Sequence, residues 1–274
     1  MIDLHIHSTA SDGSLTPAEV VRHAKEAGLE AIALTDHDTT DGLDEALAEG
    51  RRIGLEIVPG IEFSVKSDTE THILGYDIDY KQDFFIEALQ NIRRVRRERN
   101  RETEVLLRNH GFYVTYEEAL SHAPEGVVGR AHFARVMVEK GYVNSVKEAF
   151  DQYLSSGRPC FSSLQMMTAA DAVHLIKRAG GYAFVAHLHL IRKSLPSLYS
   201  FIGELKEEGL DGIEGYYTDY TEEDNQNYRK LAAAFNLKLS GGTDFHGAMK
   251  PHIAIGRGLG NLDIPYSVLQ NIRA

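Results

Sequence analysis

Residues 1–13 read MIDLHIHSTASDG. As an opening strand, this stretch points Ile2, Leu4 and Ile6 to one face and Asp3, His5 and His7 to the other, because side chains alternate along a strand. His5 and His7 then share a face, close enough for two imidazoles to grip one ion, and Asp12 follows in the next loop. With 13 histidines in 274 residues, one H-x-H pair carries little weight alone. A strand with a polar edge reads the same way, so the question is whether the rest of the chain supplies partners.

Outward from that strand, the pattern alternates. In "SLTPAEVVRHAKEAGL" (14–29), Thr16 can cap a helix, Pro17 suits its first position, Glu19 completes a capping box and Gly28 stops it. "EAIALTDHD" (30–38) is a short apolar run ending in polar residues. "DGLDEALAEGRRIG" (41–54) reads as a helix, and "LEIVPGIEFS" (55–64) and "THILGYDI" (71–78) as strands. This alternation predicts a parallel α/β arrangement.

From 81 to 167 the pattern is helical only: one long helix, "DFFIEALQNIRRVRRERNRETEVLLRNHG" (83–111), then three shorter ones in "TYEEALSHAP", "GRAHFARVMVEKGYV" and "SVKEAFDQYLSSG". Strand and helix then alternate again through "YAFVAH", "LDGIEGYY" and "LKLSGGTDFHG". About seven strands result, which suits a barrel better than an open five-stranded sheet. The expected organisation is a barrel from 1–80 and 168–274, with an inserted helical subdomain at 81–167.

Composition narrows the function. Apolar residues are 43% and charged residues 25%, as in an ordinary globular core. A net charge of −11 argues against coating long nucleic acid with a broad basic surface. No apolar run approaches a membrane span and no signal-peptide pattern opens the chain. The single cysteine, Cys160, fits a buried structural thiol in a reducing cytoplasm. A small phosphorylated substrate stays compatible with the acidic balance, since bound cations and a few arginines can make one pocket positive.

The metal-type residues fall in a common place. His5 and His7 end strand one and Asp12 follows in its loop, Asp36 and His37 end strand two, and Glu62 follows strand three. His72 opens strand four, His187 ends "YAFVAH", and Asp244 and His246 follow "LKLSGG". In a parallel barrel the carboxyl ends converge on one face, where active sites are built. With Asp36 set aside, the other nine His, Asp and Glu donors suit Zn²⁺, Mn²⁺ or Fe, and are enough for two or three divalent ions sharing a carboxylate.

Together "DLHIHSTASDG", "ALTDHDT", "GIEFS", "HILGY" and "GGTDFHG" resemble the polymerase-and-histidinol-phosphatase (PHP) family over nearly the whole chain. The nearest resemblance is to phosphoesterases acting on nucleoside 3′,5′-bisphosphates and short RNA 5′ ends. The resemblance implies a distorted seven-stranded βα barrel with a two- or three-metal centre. It assigns one ion to His5, His7, Glu62 and Asp244, a second to Asp12, His37 and His246, and a third to Glu62, His72 and His187. It points Arg130 into the site, with His132 as its companion for phosphate; Arg192, five residues after His187, could reach the same pocket, and the expected mechanism is in-line attack on phosphorus by a metal-activated water. His189 and His246 are the candidate proton donors to the leaving group. One departure is Leu188, where the family usually has proline, which puts the roles of His189 and Arg192 in question.

Other residues keep plainer readings. Asp36 is expected to orient a ligand histidine, and Glu214 to support the barrel or the ligands from behind. The run "RRVRRERNR" (93–101) reads as a solvated helix face, with guidance of a polyphosphorylated substrate or short RNA as the alternative. The expected activity is removal of the 3′-phosphate from nucleoside 3′,5′-bisphosphates, extending to short RNA. The alternatives are histidinol-phosphate phosphatase and a non-catalytic metal-binding module.

Overall fold

The computed structural model describes residues 1–67, 69–123, 127–162 and 167–274. Among these, seven strands form one sheet in sequence order: β1 (Ile2–Ile6), β2 (Ala31–Leu34), β3 (Glu56–Ser64), β4 (His72–Tyr76), β5 (Tyr182–Val185), β6 (Gly212–Tyr217) and β7 (Lys238–Gly242). The sheet closes on itself: Asp244 N–H donates to the His5 carbonyl and His7 N–H to the Phe245 carbonyl, both at 2.9 Å. Gly242 makes that seam possible, since a Cβ there would lie 2.4 Å from the His5 amide nitrogen.

In the sheet, two details depart from the sequence reading. The sheet is not all parallel: β4 pairs antiparallel with both β3 and β5. Reversal brings the amino end of β4, and so His72, to the face where the other strands end. Strict alternation along β1 also fails. A register irregularity falls between Asp3 and Ile6. Ile2 and Leu4 join a cluster with Ala31, Ala33, Val58, Leu74 and Phe184, whereas Ile6 packs with Ile32 and Leu34 beneath the helices.

The helix α1 (Pro17–Glu26) has the expected capping box, with Thr16 N–H donating to the Glu19 carboxylate at 2.8 Å, and Gly28 follows at φ 80°. α2 (Leu43–Ile53) packs beside it. α3 (Asp83–Asn109) spans two cores. Phe85 and Leu89 lie in the barrel's outer cluster, while Leu107 lies in a separate one with Phe133, Met137 and Cys160. That second cluster is built by α4 (Tyr116–Ser121), α5 (Arg130–Glu139) and α6 (Val146–Ala149), which runs into a π-helical turn at Phe150–Leu154. Pro124, the end of the predicted "TYEEALSHAP" helix, lies outside the described residues. The helices α7 (Ala169–Arg178), α8 (Leu195–Glu207) and α9 (Glu222–Ala234) flank the later strands. A last helix, α10 (Ser267–Arg273), was not expected; its Leu269 and Ile272 join Ile2 and Leu4. No helix among the described residues is long and apolar enough to cross a membrane.

The arginine-rich run is only partly a solvated face. Arg96 and Arg99 are buried. Arg96 forms an ion pair with buried Asp38 and donates through Nε to the Val128 carbonyl at 3.1 Å, which Asn100 also reaches at 2.8 Å. Asp38 accepts the Ser64 N–H at 3.0 Å. Thus α3 is tied to the loop after β2, which carries His37, and to the segment leading to Arg130. The sequence run looked solvated because its burial depends on a carboxylate 58 residues away.

Candidate active site

Nine side chains from six strands or their following loops meet at one face. Glu62, at the end of β3, is the hub and is 1% exposed. Its Oε1 lies 2.8 Å from His72 Nδ1 and 3.0 Å from His187 Nε2; its Oε2 lies 3.3 Å from His5 Nε2, 3.2 Å from His7 Nε2 and 3.1 Å from His37 Nδ1. Asp244 Oδ1 lies 3.6 Å from His5 Nε2 and 3.3 Å from His7 Nε2, and His246 Nε2 lies 3.2 Å from Asp12 Oδ1.

Three groups have potential ligand atoms mutually within 4.8 Å: His5, His7 and Asp244; His7, Asp12, His37 and His246; and His37, Glu62 and His72. His7 and His37 each stand in two groups, so the donors form one continuous cluster rather than three separate sets. His187 adjoins it, its Nε2 lying 3.2 Å from His72 Nδ1.

The residues fit divalent ions. His5 Nε2, His7 Nε2, His37 Nδ1 and Glu62 Oε2 are buried with no hydrogen-bond partner, although they face one another. Buried polar atoms left unpaired are costly, and a cation among them removes the cost. Without one, protons take its place. Burial opposes a charge on His5, but Glu62, Glu214 and Asp244 outweigh it and hold its pKa well above the usual range. Burial likewise opposes a charge on His7, yet Asp244 and Glu62 raise it to about 9. Burial dominates at His37 and pushes its pKa well down. Burial also disfavours charge on Glu62, but His37, His72 and His5 hold it well below the carboxylate range.

Buried partners aim the candidate ligands. Glu214, 0% exposed, accepts the His5 Nδ1–H at 3.0 Å through Oε1 and the His187 amide N–H at 2.7 Å through Oε2. This fixes His5 with Nε2 turned to the cluster. Among the described residues, Asp36 makes no direct hydrogen bond to a candidate ligand histidine. It accepts from the Ser8 and Ser11 hydroxyls at 2.7 and 2.6 Å, and Ser11 Oγ lies 3.4 Å from His7 Nδ1. His246 Nδ1–H donates to the Asp244 carbonyl at 2.8 Å, leaving Nε2 for the cluster. Asp38, His187 and Asp244 have φ of 53°, 23° and 56°. Such positive φ is uncommon for residues other than glycine and is held here at the strand ends that carry the ligands.

A cavity of about 430 Å³ opens over the cluster. Asp12, His37, Glu62, Asp244 and His246 are at its floor, and Val146, Lys147 and Phe150 contribute a wall from the helical segment. Arg192, Glu70 and Ser155 line both this cavity and a small adjoining one that Arg130 also lines. Arg130 donates to the Leu154 carbonyl at 3.2 Å and lies over the Phe150 and Phe161 rings, and burial lowers its pKa. Arg192 is therefore on the main cavity wall and Arg130 just beside it.

His132 and His189 stand elsewhere. His132 Nδ1 accepts the Gly129 N–H at 2.9 Å, capping α5, and does not line the cavity over the cluster. His189 packs its ring 5.3 Å from that of Tyr217 and 5.5 Å from that of Tyr220. Leu188 explains the loop between them: its amide donates to the Tyr220 hydroxyl at 2.9 Å, which donates to the Glu214 carbonyl at 3.0 Å. A proline, which has no amide hydrogen, could not make that link. Two groups at the site were missed in the sequence. Tyr217 and Lys250 both donate to Asp244 Oδ2, at 2.9 and 2.6 Å. Neither belongs to a ligand-type motif, and only the fold brings them to Asp244.

Residues 3–161 match the PHP domain family. A 5′-3′ exoribonuclease of Haemophilus influenzae is 35% identical over 245 residues, 89% of each chain. A 3′,5′-nucleoside bisphosphate phosphatase of Chromobacterium violaceum is 36% identical over 248 residues, 89% of this chain and 87% of that one. A solved structure from Chromobacterium violaceum, described as an amidohydrolase with bound sulfate and no metal, matches with a TM-score of 0.89 at 33% identity, covering 99% of this chain and 95% of that one.

Proposed function

The chain belongs to the PHP domain family, and on that premise we propose that it is a metal-dependent phosphoesterase acting on nucleotides. The substrate we assign is a nucleoside 3′,5′-bisphosphate, which loses its 3′-phosphate, with short RNA 5′ ends as an extension. The observation that carries this reading is the cluster of orphaned histidine ring nitrogens around the orphaned Glu62 Oε2, at the floor of a cavity of about 430 Å³. That volume falls in the range of about 300–1,000 Å³ typical of small-molecule sites.

We assign His5, His7, Glu62 and Asp244 to one divalent ion, Asp12, His37 and His246 to a second, and Glu62, His72 and His187 to a third. Ions of the Mn²⁺, Fe²⁺ or Zn²⁺ type supply an activated water and neutralise phosphoryl charge. The chain's own residues supply the geometry. Glu214 holds His5 in the tautomer that leaves Nε2 free, and the Asp244 carbonyl does the same for His246. Arg192 and Arg130 offer guanidinium forks to phosphate oxygens. Val146 and Phe150 add an apolar wall to the cavity from the helical side.

The test is phosphate release with added Mn²⁺ from adenosine 3′,5′-bisphosphate, histidinol phosphate and a short 5′-phosphorylated RNA, with EDTA controls. EDTA-sensitive release, strongest from the bisphosphate or the RNA, is expected. Preference for histidinol phosphate overturns the substrate assignment. Full metal loading with no turnover of any of the three makes the chain a non-catalytic metal-binding module.

A further inference from the structure

The cavity over the metal-type cluster has a cation on its wall that is neither one of the nine donors nor an arginine. Lys250 stands four residues after His246, immediately after a short 3-10 turn at Gly247–Met249. That turn is pinned to the loop after β1: Ala248 N–H donates to Ser14 Oγ at 2.7 Å, and Ser14 N–H donates to the His246 carbonyl at 3.2 Å. The backbone under Lys250 is therefore fixed to two loops that carry ligand-type residues.

Its ammonium donates to Asp244 Oδ2 at 2.6 Å, and the side chain is 38% exposed, toward the cavity it lines. Tyr217 donates to the same oxygen at 2.9 Å. Tyr217 already fixes the rotation of this carboxylate, so a lysine is not needed to turn Oδ1 toward His5 and His7. An ammonium carries three N–H donors. Asp244 takes one, and among the described residues no second hydrogen-bond acceptor for Lys250 is present. The two remaining donors stand beside the oxygen cluster where a phosphoryl group would meet the ions.

We propose that Lys250 is a phosphate-binding residue, its ammonium bridging Asp244 Oδ2 and a non-bridging oxygen of a phosphate monoester held over Asp244. This rests on the phosphoesterase reading and adds to it a point charge from the loop after β7, besides the arginines contributed from the β5 loop and the helical segment. The ligand class is a tetrahedral dianion, which takes charge-assisted bonds from several directions at once.

The test is calorimetric titration of Mn²⁺-loaded wild type, Lys250→Met and Lys250→Arg with inorganic phosphate, with bound metal measured in the same samples. Loss of a hydrogen bond to a charged group predicts phosphate binding about tenfold to a hundredfold weaker in Lys250→Met. Metal content should be unchanged, Lys250→Arg should recover part of the affinity, and KM for the monoester should rise more than kcat falls. Equal phosphate affinity in wild type and Lys250→Met overturns the assignment. So does a loss of metal that parallels the loss of phosphate, because Lys250 would then act only through Asp244. Wild type that binds no phosphate and hydrolyses no monoester would remove the phosphoesterase reading itself, an outcome distinct from both.

Discussion

Replacing Glu214 with glutamine tests the geometry of the site without touching an assigned ligand. Both carboxylate oxygens of Glu214 are acceptors, one for the His5 Nδ1–H at 3.0 Å and the other for the His187 amide at 2.7 Å. Glutamine offers one acceptor and one donor. With its NH₂ toward His5, Nδ1 must become the acceptor and the ring proton moves to Nε2, the atom that faces Glu62 and Asp244. His5 then cannot coordinate. With the NH₂ toward His187, two donors meet in a fully buried place, at a cost of about 1–3 kcal/mol for the unpaired amide. Either orientation harms the site. Loss of a partner that orients a ligand typically weakens metal affinity about 10- to 100-fold, or ~1.4–2.7 kcal/mol. The assay is calorimetric titration of chelator-stripped wild type and Glu214→Gln with Mn²⁺, with thermal unfolding as a check that both are folded. A folded Glu214→Gln protein that binds Mn²⁺ within about twofold of wild type would refute the tautomer argument.

Other outcomes follow from the same contacts. Glu62→Gln removes the carboxylate shared by five histidines; the protein should stay folded yet lose bound metal and activity together, and retained turnover would end the bridging role. In metal-free protein, His7 has its pKa raised from 6.5 to about 9, with burial opposing and Asp244 and Glu62 outweighing it. A raised folded-state pKa gives stability that is complete below pH 6.5 and lost as pH climbs through about 9, on the order of 3 kcal/mol at most. Melting temperature in EDTA should therefore fall across that window and metal-loaded protein should lack the fall; a rise in EDTA would contradict the sign. Arg96→Met strands the buried Asp38 carboxylate, and denaturant unfolding should show a loss of about 3–5 kcal/mol; a change under about 1 kcal/mol would mean the ion pair does not tie α3 to the barrel.

What the linear sequence determined is what local chemistry encodes. Thr16, Pro17 and Glu19 make a helix start within four residues, and hydrophobic alternation marks strands that span five. The repeated placing of His, Asp and Glu beside strand ends marks where these side chains gather. The direction of β4 was not encoded in this way, because a strand's own side chains do not say which way its neighbours run. Nor was the environment of the arginine run, where Arg96 is internal and Arg97 exposed although both sit in the same string of charges. The deepest dependence on tertiary structure lies behind the ligands. Glu214 meets His5 across 209 residues, and Asp244 collects Tyr217 from 27 residues before it and Lys250 from 6 after it. A candidate metal ligand can be read from residue type and position because its chemistry is its own. The groups that set its tautomer, rotation and charge are ordinary residues, and they gain that role only when barrel closure brings them within hydrogen-bond distance.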